Sequence, residues 1–527
     1  LLKLASVSLA LFVLTSTCTM AAQGIRLNRS AEEVSSFAVS PDGGWVVYLD
    51  PTGYHSAPLL PLGPAQRLTP PDLTTLYGTN IVWGPEVGFT PNSSQVFLSV
   101  STSSGTFLYR APIDGSQPAT LFMSRASSAA GPNFKEFVFT PDGATVFFVY
   151  RTGDPSVGSN VERLYSAPVD GSQAPLLLES AEFVAHFLSG DGTRLVVVEG
   201  PVSFSGGFNL YSLPTDGSAP ADTLLASGYE TSGGLQLTAD RTQVVYRANL
   251  FLGGGGSLFS ARIDASQPPT QATLTPTGLY DFLLNPVTPH IAYTAPNGNL
   301  RELRYVPMDG SSAEIVLVSL PPAGLLSEIT HFIFTPDGTH LVYRADAIVD
   351  NKFELFSVPV DGSLPPVQIN GPILPAGGDV TASTNSGSKP HFAVTPDGQR
   401  VVYAADARLN DVFELWSAPL TGGGPAQILN NPLPPGLQVF PDFQILSNST
   451  DILFRGNPAA GYAPLWEART DRTGPFKQRS GPFPLPSVVQ PGYVVTRGER
   501  HVVYLSDHLT PGHLDLFAAP LQKLRAR

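Results

Sequence analysis

Ten residues set about fifty apart share one position of a repeat: Ser36, Glu86, Glu136, Ala185, Gly234, Asp281, His331, His391, Asp442 and Gly492. Six of the ten are ionisable, and they mix carboxylates with two imidazoles. Such a set can line a polar funnel that binds a cation or a basic peptide. It can also hold a metal: His331 and His391 with carboxylate oxygens suit Zn²⁺ or Mn²⁺, and oxygens alone suit Ca²⁺. Fifteen residues further on, three copies carry Asp346, Asp406 and Asp507. If both positions reach one face, His331 with Asp346 and His391 with Asp406 lie in adjacent repeats at one mouth. The candidate ligand-binding residues are therefore Glu86, Glu136, Asp281, His331, His391, Asp442, Asp346 and Asp406, with His331 and His391 the candidate metal ligands. The plainer alternative is that residues beside loops are solvated and that the repeated aspartate bonds backbone amides to shape a turn.

The elements that must position these residues are clearest in Phe332 to Ser363, FIFTPDGTHLVYRADAIVDNKFELFSVPVDGS. Phe332, Phe334, Leu341 and Tyr343 alternate with other residues at period two on either side of Thr335-Pro336-Asp337-Gly338, which predicts two half-buried strands and a tight turn. Proline presets φ, aspartate bonds its own backbone two residues on, and glycine supplies positive φ. A third apolar run, Phe353 to Val360, ends at Asp361-Gly362-Ser363, and Val367 to Ile369 can add a fourth strand. Four antiparallel strands in about 45 residues, repeated, make propeller blades.

Aligned on Pro336, the copies fall at Pro41, Pro91, Pro141, Gly190, Ala239, Pro286, Pro336, Pro396, Ser447 and Arg497, in steps of 50, 50, 49, 49, 47, 50, 60, 51 and 50 residues. Positions four and two before this anchor stay apolar even where the turn has drifted, as in Phe37/Val39, Leu235/Leu237 and Tyr493/Val495, and His186 alone breaks the column. The predicted fold is all-β: a propeller of about ten four-stranded blades, with a single ring favoured over two tandem propellers. The 60-residue step contains residues 371–390, GPILPAGGDVTASTNSGSKP. A split there would leave three blades that cannot close, so it is read as an inserted loop, one that could cover a site. Gly253 to Gly256 precedes a strand and is followed by no lysine, so it is a hairpin loop and not a phosphate loop. Pro112, Pro168, Pro214, Pro307, Pro359, Pro419 and Pro520 recur two before the second turn, where a missing N–H predicts a lost ladder bond or a bulge.

The segments TPDGTHLVYRAD and FELFSVPVDGS resemble the WD40-like (PD40) repeat of the TolB family, over residues 31 to 520. That resemblance implies a β-propeller and a periplasmic, protein-binding scaffold. The chain departs from the family in lacking an evident N-terminal α/β domain.

Residues 1–22 have one early cation, Lys3, an apolar run Leu4 to Leu14, and small residues ending at Ala21-Ala22. This is the layout of a secretory signal peptide, with a lipoprotein at Cys18 the less favoured reading because Thr15-Ser16-Thr17 is a poor lipobox. Residues 23–527 then form the propeller, with Ile25 to Asn28 supplying the missing outer strand of the last blade. Cys18 is the only cysteine, so the exported chain is expected to have no disulfide and to rely on its core. No later stretch approaches the ~18 apolar residues of a membrane helix, so no stable membrane insertion is expected. Thirty basic against 43 acidic residues give a net charge of −13, and no basic cluster offers itself to phosphates, which speaks against nucleic acid.

Gly-x-Ser-x-Gly and His-Glu-x-x-His are absent from the sequence, which removes the common hydrolase and zinc-protease signatures. The expectation is an exported, monomeric, non-enzymatic scaffold that binds protein or peptide and needs no cofactor. Its alternative is a hydrolase or lyase using the His/carboxylate mouth with a divalent metal.

Overall fold

In the computed structural model the described residues are 24–521 apart from 29–31, 71–81, 127–132, 155–158, 201–207, 226–228, 251–255, 274–278, 280, 298–299, 321–327, 350, 374–377, 382–389, 423, 432, 434–435, 458, 460, 475 and 482–486. The proposed signal peptide, most of the Gly253 to Gly256 loop and much of the 371–390 insertion lie outside them. Among the described residues every regular element is a strand. Ten four-stranded antiparallel sheets follow one another as blades of a single ring.

Blade 7 shows the pattern. Its strands are Ile329–Phe334, His340–Val349, Lys352–Pro359 and Val367–Gln368, paired in sequence order from the channel outwards. Second strands read as continuous apolar runs because neighbouring blades cover both of their faces. In blade 1, Val46 and Tyr48 pack against blade 10, while Val47 and Leu49 pack against blade 2. Ten buried clusters result, each spanning one pair of consecutive blades, and one of them joins blade 10 to blade 1. This last cluster makes the arrangement one ring and not two.

The turn between the first and second strands is built from side chains. Thr335 Oγ1 donates to Asp337 Oδ1 at 2.6 Å, and the Thr339 N–H donates to the same oxygen at 3.1 Å. Gly338 has φ 68°, and a Cβ there would stand 2.3 Å from Asn285 Oδ1 of the preceding blade. Where the glycine has drifted, as at Arg241 with φ 52°, the Thr238 to Asp240 bond persists at 2.6 Å. The hydroxyl and carboxylate thus define the turn, and glycine only eases it.

The recurrent prolines do not bulge the ladder. Each is the last residue of its third strand, and carbonyls such as those of Pro112 and Pro359 accept the N–H of a turn glycine three residues on. The missing donor falls where the ladder ends. Register shifts in blades 2, 3 and 6 lie earlier in the third strand, at Leu108/Tyr109, Leu164/Tyr165 and Leu303/Arg304.

Blade 10 takes its outermost strand from the other end of the chain: Ile25 pairs with Ala518 and Arg26 with Phe517. Asn28 Nδ2 donates to Asp515 Oδ1 at 2.8 Å, Asn28 Oδ1 accepts the Leu516 N–H at 3.0 Å, and Arg26 bridges to Asp515 at 2.7 Å.

Candidate functional site

The first strand of each blade leaves one edge unpaired, and these edges face the channel. Gln236 of blade 5 answers two such groups of blade 6, donating to Phe282 O at 2.7 Å and accepting from Leu284 N–H at 3.2 Å. Beside the first strands of blades 6 to 10 lies a cavity of 1120 Å³, whose wall includes Leu283, Ile333, His391, Phe392, Asp442 and Tyr493.

Five residues before the turn proline, Asp281, His331 and His391 come from three consecutive blades; Asp281 and His331 feel each other's charge, and His391 feels that of His331. His331 is half-buried, and its Nδ1 meets no hydrogen-bond partner among the described residues. Burial lowers its pKa, Arg344 lowers it further, and Asp281 opposes them. Burial likewise lowers that of His391, helped by His331 and Arg344. The His391 ring lies 3.4 Å from Thr381 Oγ1. Asp281 is raised by burial, against a bond from the Phe282 N–H and the nearby His331 and Arg247. The two imidazoles are thus biased to be neutral, and the carboxyl to hold a proton more readily than usual.

Asp442 faces the same cavity one blade further on. Its Oδ2 accepts Arg455 Nε at 2.6 Å, its Oδ1 has no partner among the described residues, and burial raises its pKa despite the arginine. Across the ring, Glu86 is exposed and Glu136 half-buried, and Glu86 Oε2 accepts the Glu136 N–H at 2.5 Å.

Asp346 and Asp406 do not join this rim. They are 2% and 3% exposed and are consumed by backbone. Asp346 accepts Glu328 N–H at 2.5 Å and Asn351 N–H at 3.2 Å; Asp406 accepts Asp379 N–H at 2.6 Å and Asp411 N–H at 2.9 Å. Asp507 does the same for Val488 and Gly512, and Asn457 for Gln438. The residue across the ladder from His331 is Arg344, not Asp346. The predicted pairings of His331 with Asp346 and of His391 with Asp406 are corrected accordingly: these carboxylates pin the segment entering each blade to the hairpin that follows.

A repeated arginine went unread in the sequence. Arg247, Arg344 and Arg455 each stand eight residues after the anchor and donate to Leu279 O, Val380 O and Val489 O of the next blade, at 2.9, 2.6 and 2.8 Å. Arg344 also donates to Thr330 Oγ1 at 3.0 Å, approaches Asp379 at 3.6 Å and lies 3.8 Å over the Phe353 ring. Their common spacing from the anchor was the available signal. The donor set does not favour a resident metal: among the described residues no three of His, Cys, Asp and Glu come together in a metal-holding group. His331 and His391 therefore lack the converging carboxylates a divalent ion needs.

No family model matches the chain, and no curated protein does. Among solved structures it is similar to an oligogalacturonate lyase in complex with manganese, at 15% identity over 73% of this chain and 88% of that one, TM-score 0.36. It is similar also to a puromycin-hydrolyzing peptidase of Mycobacterium tuberculosis, at 14% over 70% and 58%, TM-score 0.35. A putative TolB from Agrobacterium tumefaciens matches at 15% over 46% and 81%, TM-score 0.27. The expectation of a non-enzymatic scaffold is corrected to this extent: propellers with which the chain shares its fold include a lyase and a peptidase beside TolB, so the fold does not carry a non-enzymatic role. At these identities the likeness concerns fold, and the chemistry has to be argued from the site.

Proposed function

We propose that this protein is a propeller enzyme of the hydrolase or lyase class, whose proton-transfer groups are His331, Asp281 and His391 on the channel rim. The observation that carries the reading is the His331 ring, biased to be neutral, with Nδ1 buried and unengaged among the described residues, which leaves Nε2 as the nitrogen to meet a substrate, and Asp281 near enough to influence it. A neutral imidazole accepts a proton from a substrate C–H or from water, and a neighbouring carboxylate stabilises the imidazolium formed. His391, in range of both His331 and Arg344, is the second proton-handling group. The 1120 Å³ cavity, whose wall includes His391 and Asp442 but neither His331 nor Asp281, gives room beside them for several units of a chain-like substrate,. No step is assigned to a metal.

The repeat is assigned to the WD40-like (PD40) type on its Ser/Thr-Pro-Asp-Gly turns, and action outside the cytoplasm rests on the layout of residues 1–22. The test is a screen of the purified protein against uronic-acid oligosaccharides and short peptides, followed by His331→Ala and His391→Ala. An activity that falls at least 100-fold in His331→Ala, with the circular dichroism spectrum unchanged, supports the proposal; full activity in both variants overturns it.

A further inference from the structure

On the wall of the ring formed by blades 2 to 4, a second group of ionisable residues meets the channel. Lys135 Nζ lies 2.7 Å from Glu136 and 2.9 Å from Glu162, and Arg151 approaches Glu162 at 3.8 Å. Glu162 is 3% exposed and also accepts the Val184 N–H at 3.0 Å, so it belongs to the frame. Glu136 has φ 56°, a left-handed backbone that costs a non-glycine residue about 1 kcal/mol or more,. The neighbouring blade holds it there, because Glu86 accepts its N–H at 2.5 Å.

Two observations show that the group is incomplete. Three carboxylates, Glu86, Glu136 and Glu162, face two side-chain cations, Lys135 and Arg151, and the pKa of Glu136 is raised by burial and by the Glu162 and Glu86 charges against the pull of Lys135, so the group favours a further positive charge, a proton or a cation. Behind them His186 is 6% exposed; neither ring nitrogen has a hydrogen bond of normal length among the described residues, Nδ1 stands 3.9 Å from Glu136 Oε2, and the Glu136 backbone is the one group near enough to favour its protonated form. Burial and Lys135 keep this ring neutral, with a pKa lowered to about 4, so it does not supply the charge. An imidazole buried without a hydrogen bond of normal length is costly unless a ligand completes it.

We propose that Glu86, Glu136 and His186 form a subsite for a single organic cation, a primary ammonium or guanidinium carried by a ligand in the channel. A primary ammonium brings three N–H donors and one charge. Glu86 and Glu136 offer acceptor oxygens on the exposed side, and the unprotonated ring stands behind them. A divalent ion is not the fit, since no three of these side chains form a metal-holding group. The subsite stands independently of the acid–base reading of Asp281 and His331.

The test is calorimetric titration of the full chain with tetralysine at about 0.1 M salt. Binding is expected to weaken at least tenfold in Glu136→Gln and in Glu86→Gln, whose exposed side chain puts folding at little risk. The control Asp361→Asn removes one negative charge from a hairpin turn and is expected to bind as the parent does. Equal weakening in Asp361→Asn, or parental affinity in both glutamate variants, would mean that tetralysine only senses an acidic surface, and overturns the proposal. Absence of binding to the parent overturns it as well.

Discussion

Arg344 stands directly across the ladder from His331, one rung of the sheet between them. Arg344 is 7% exposed, and its guanidinium is fixed by Val380 O, Thr330 and the Phe353 ring. A fixed positive charge beside an imidazole disfavours a second one, and Arg344 does this to His331 and His391 together. Burial in turn lowers the arginine's own pKa to about 10, which leaves it charged throughout the range where histidine titrates.

Arg344→Met is therefore expected to raise the pKa of both histidines toward the ordinary value, and the acid limb of any His331-dependent activity moves to higher pH with them. Carbon-13 NMR titration of histidine-labelled protein reads this without a substrate. Unchanged titration of both rings would show that Arg344 is not what holds them neutral, leaving burial and, for His391, the neighbouring His331.

Asp346→Ala and Asp406→Ala each strip two backbone N–H groups of their acceptor in a buried place. The expected cost is about 1–3 kcal/mol apiece, seen as a lower urea midpoint. The titration of His331 should stay as it is in the parent, which separates a pin from a ligand.

His186 makes stability depend on acid. Its pKa is lowered to about 4 in the fold against about 6.5 in the unfolded chain, so the unfolded state takes up the proton first. Above the unfolded value there is no penalty. As pH falls from about 6.5 to about 4, stability drops by up to roughly 3 kcal/mol. His186→Phe, matching the phenylalanines at this position in blades 1, 3 and 6 to 9, should flatten that part of the profile in urea denaturation at pH 7 and pH 4.5. An equal loss in parent and variant would place the acid sensitivity elsewhere.

Asn28→Ala removes a donor to Asp515 and an acceptor for Leu516 N–H, both inside the sheet of blade 10. A loss of about 2 kcal/mol is expected, with faster proteolysis near residue 25. Cleavage at the parental rate would show that the packing of Leu27, Val34 and their neighbours holds this segment without Asn28.

Architecture was legible in the sequence because two constraints recur: the period-two column before the turn, and, in six of the ten blades, a hydroxyl followed two residues later by a carboxylate. The second survives at Thr238 and Asp240 although proline and glycine are gone. The site was only partly legible. Asp281, His331 and His391 stand out in the sequence because they share one position, and the ring brings that position of neighbouring blades together. Whether Asp346 faces the channel or the backbone could not be read from period, since its partners, Glu328 and Asn351, lie in irregular segments. Lys135 and Glu162 meet across three strands of one blade, 27 positions apart, with no motif to link them. Arg344 was hidden for a similar reason: its acceptor, Val380, belongs to the insertion between two blades.

The sheet that unites Ile25–Arg26 with His513–Pro520 has a temporal consequence. A ribosome makes one side of this seam first and the other nearly five hundred residues later, so the earliest strand waits for its partner throughout synthesis. Blades 1 to 9 can stack as they emerge, but until Pro520 is out the growing arc keeps two greasy ends, and a chaperone that shields them would be needed most just before closure.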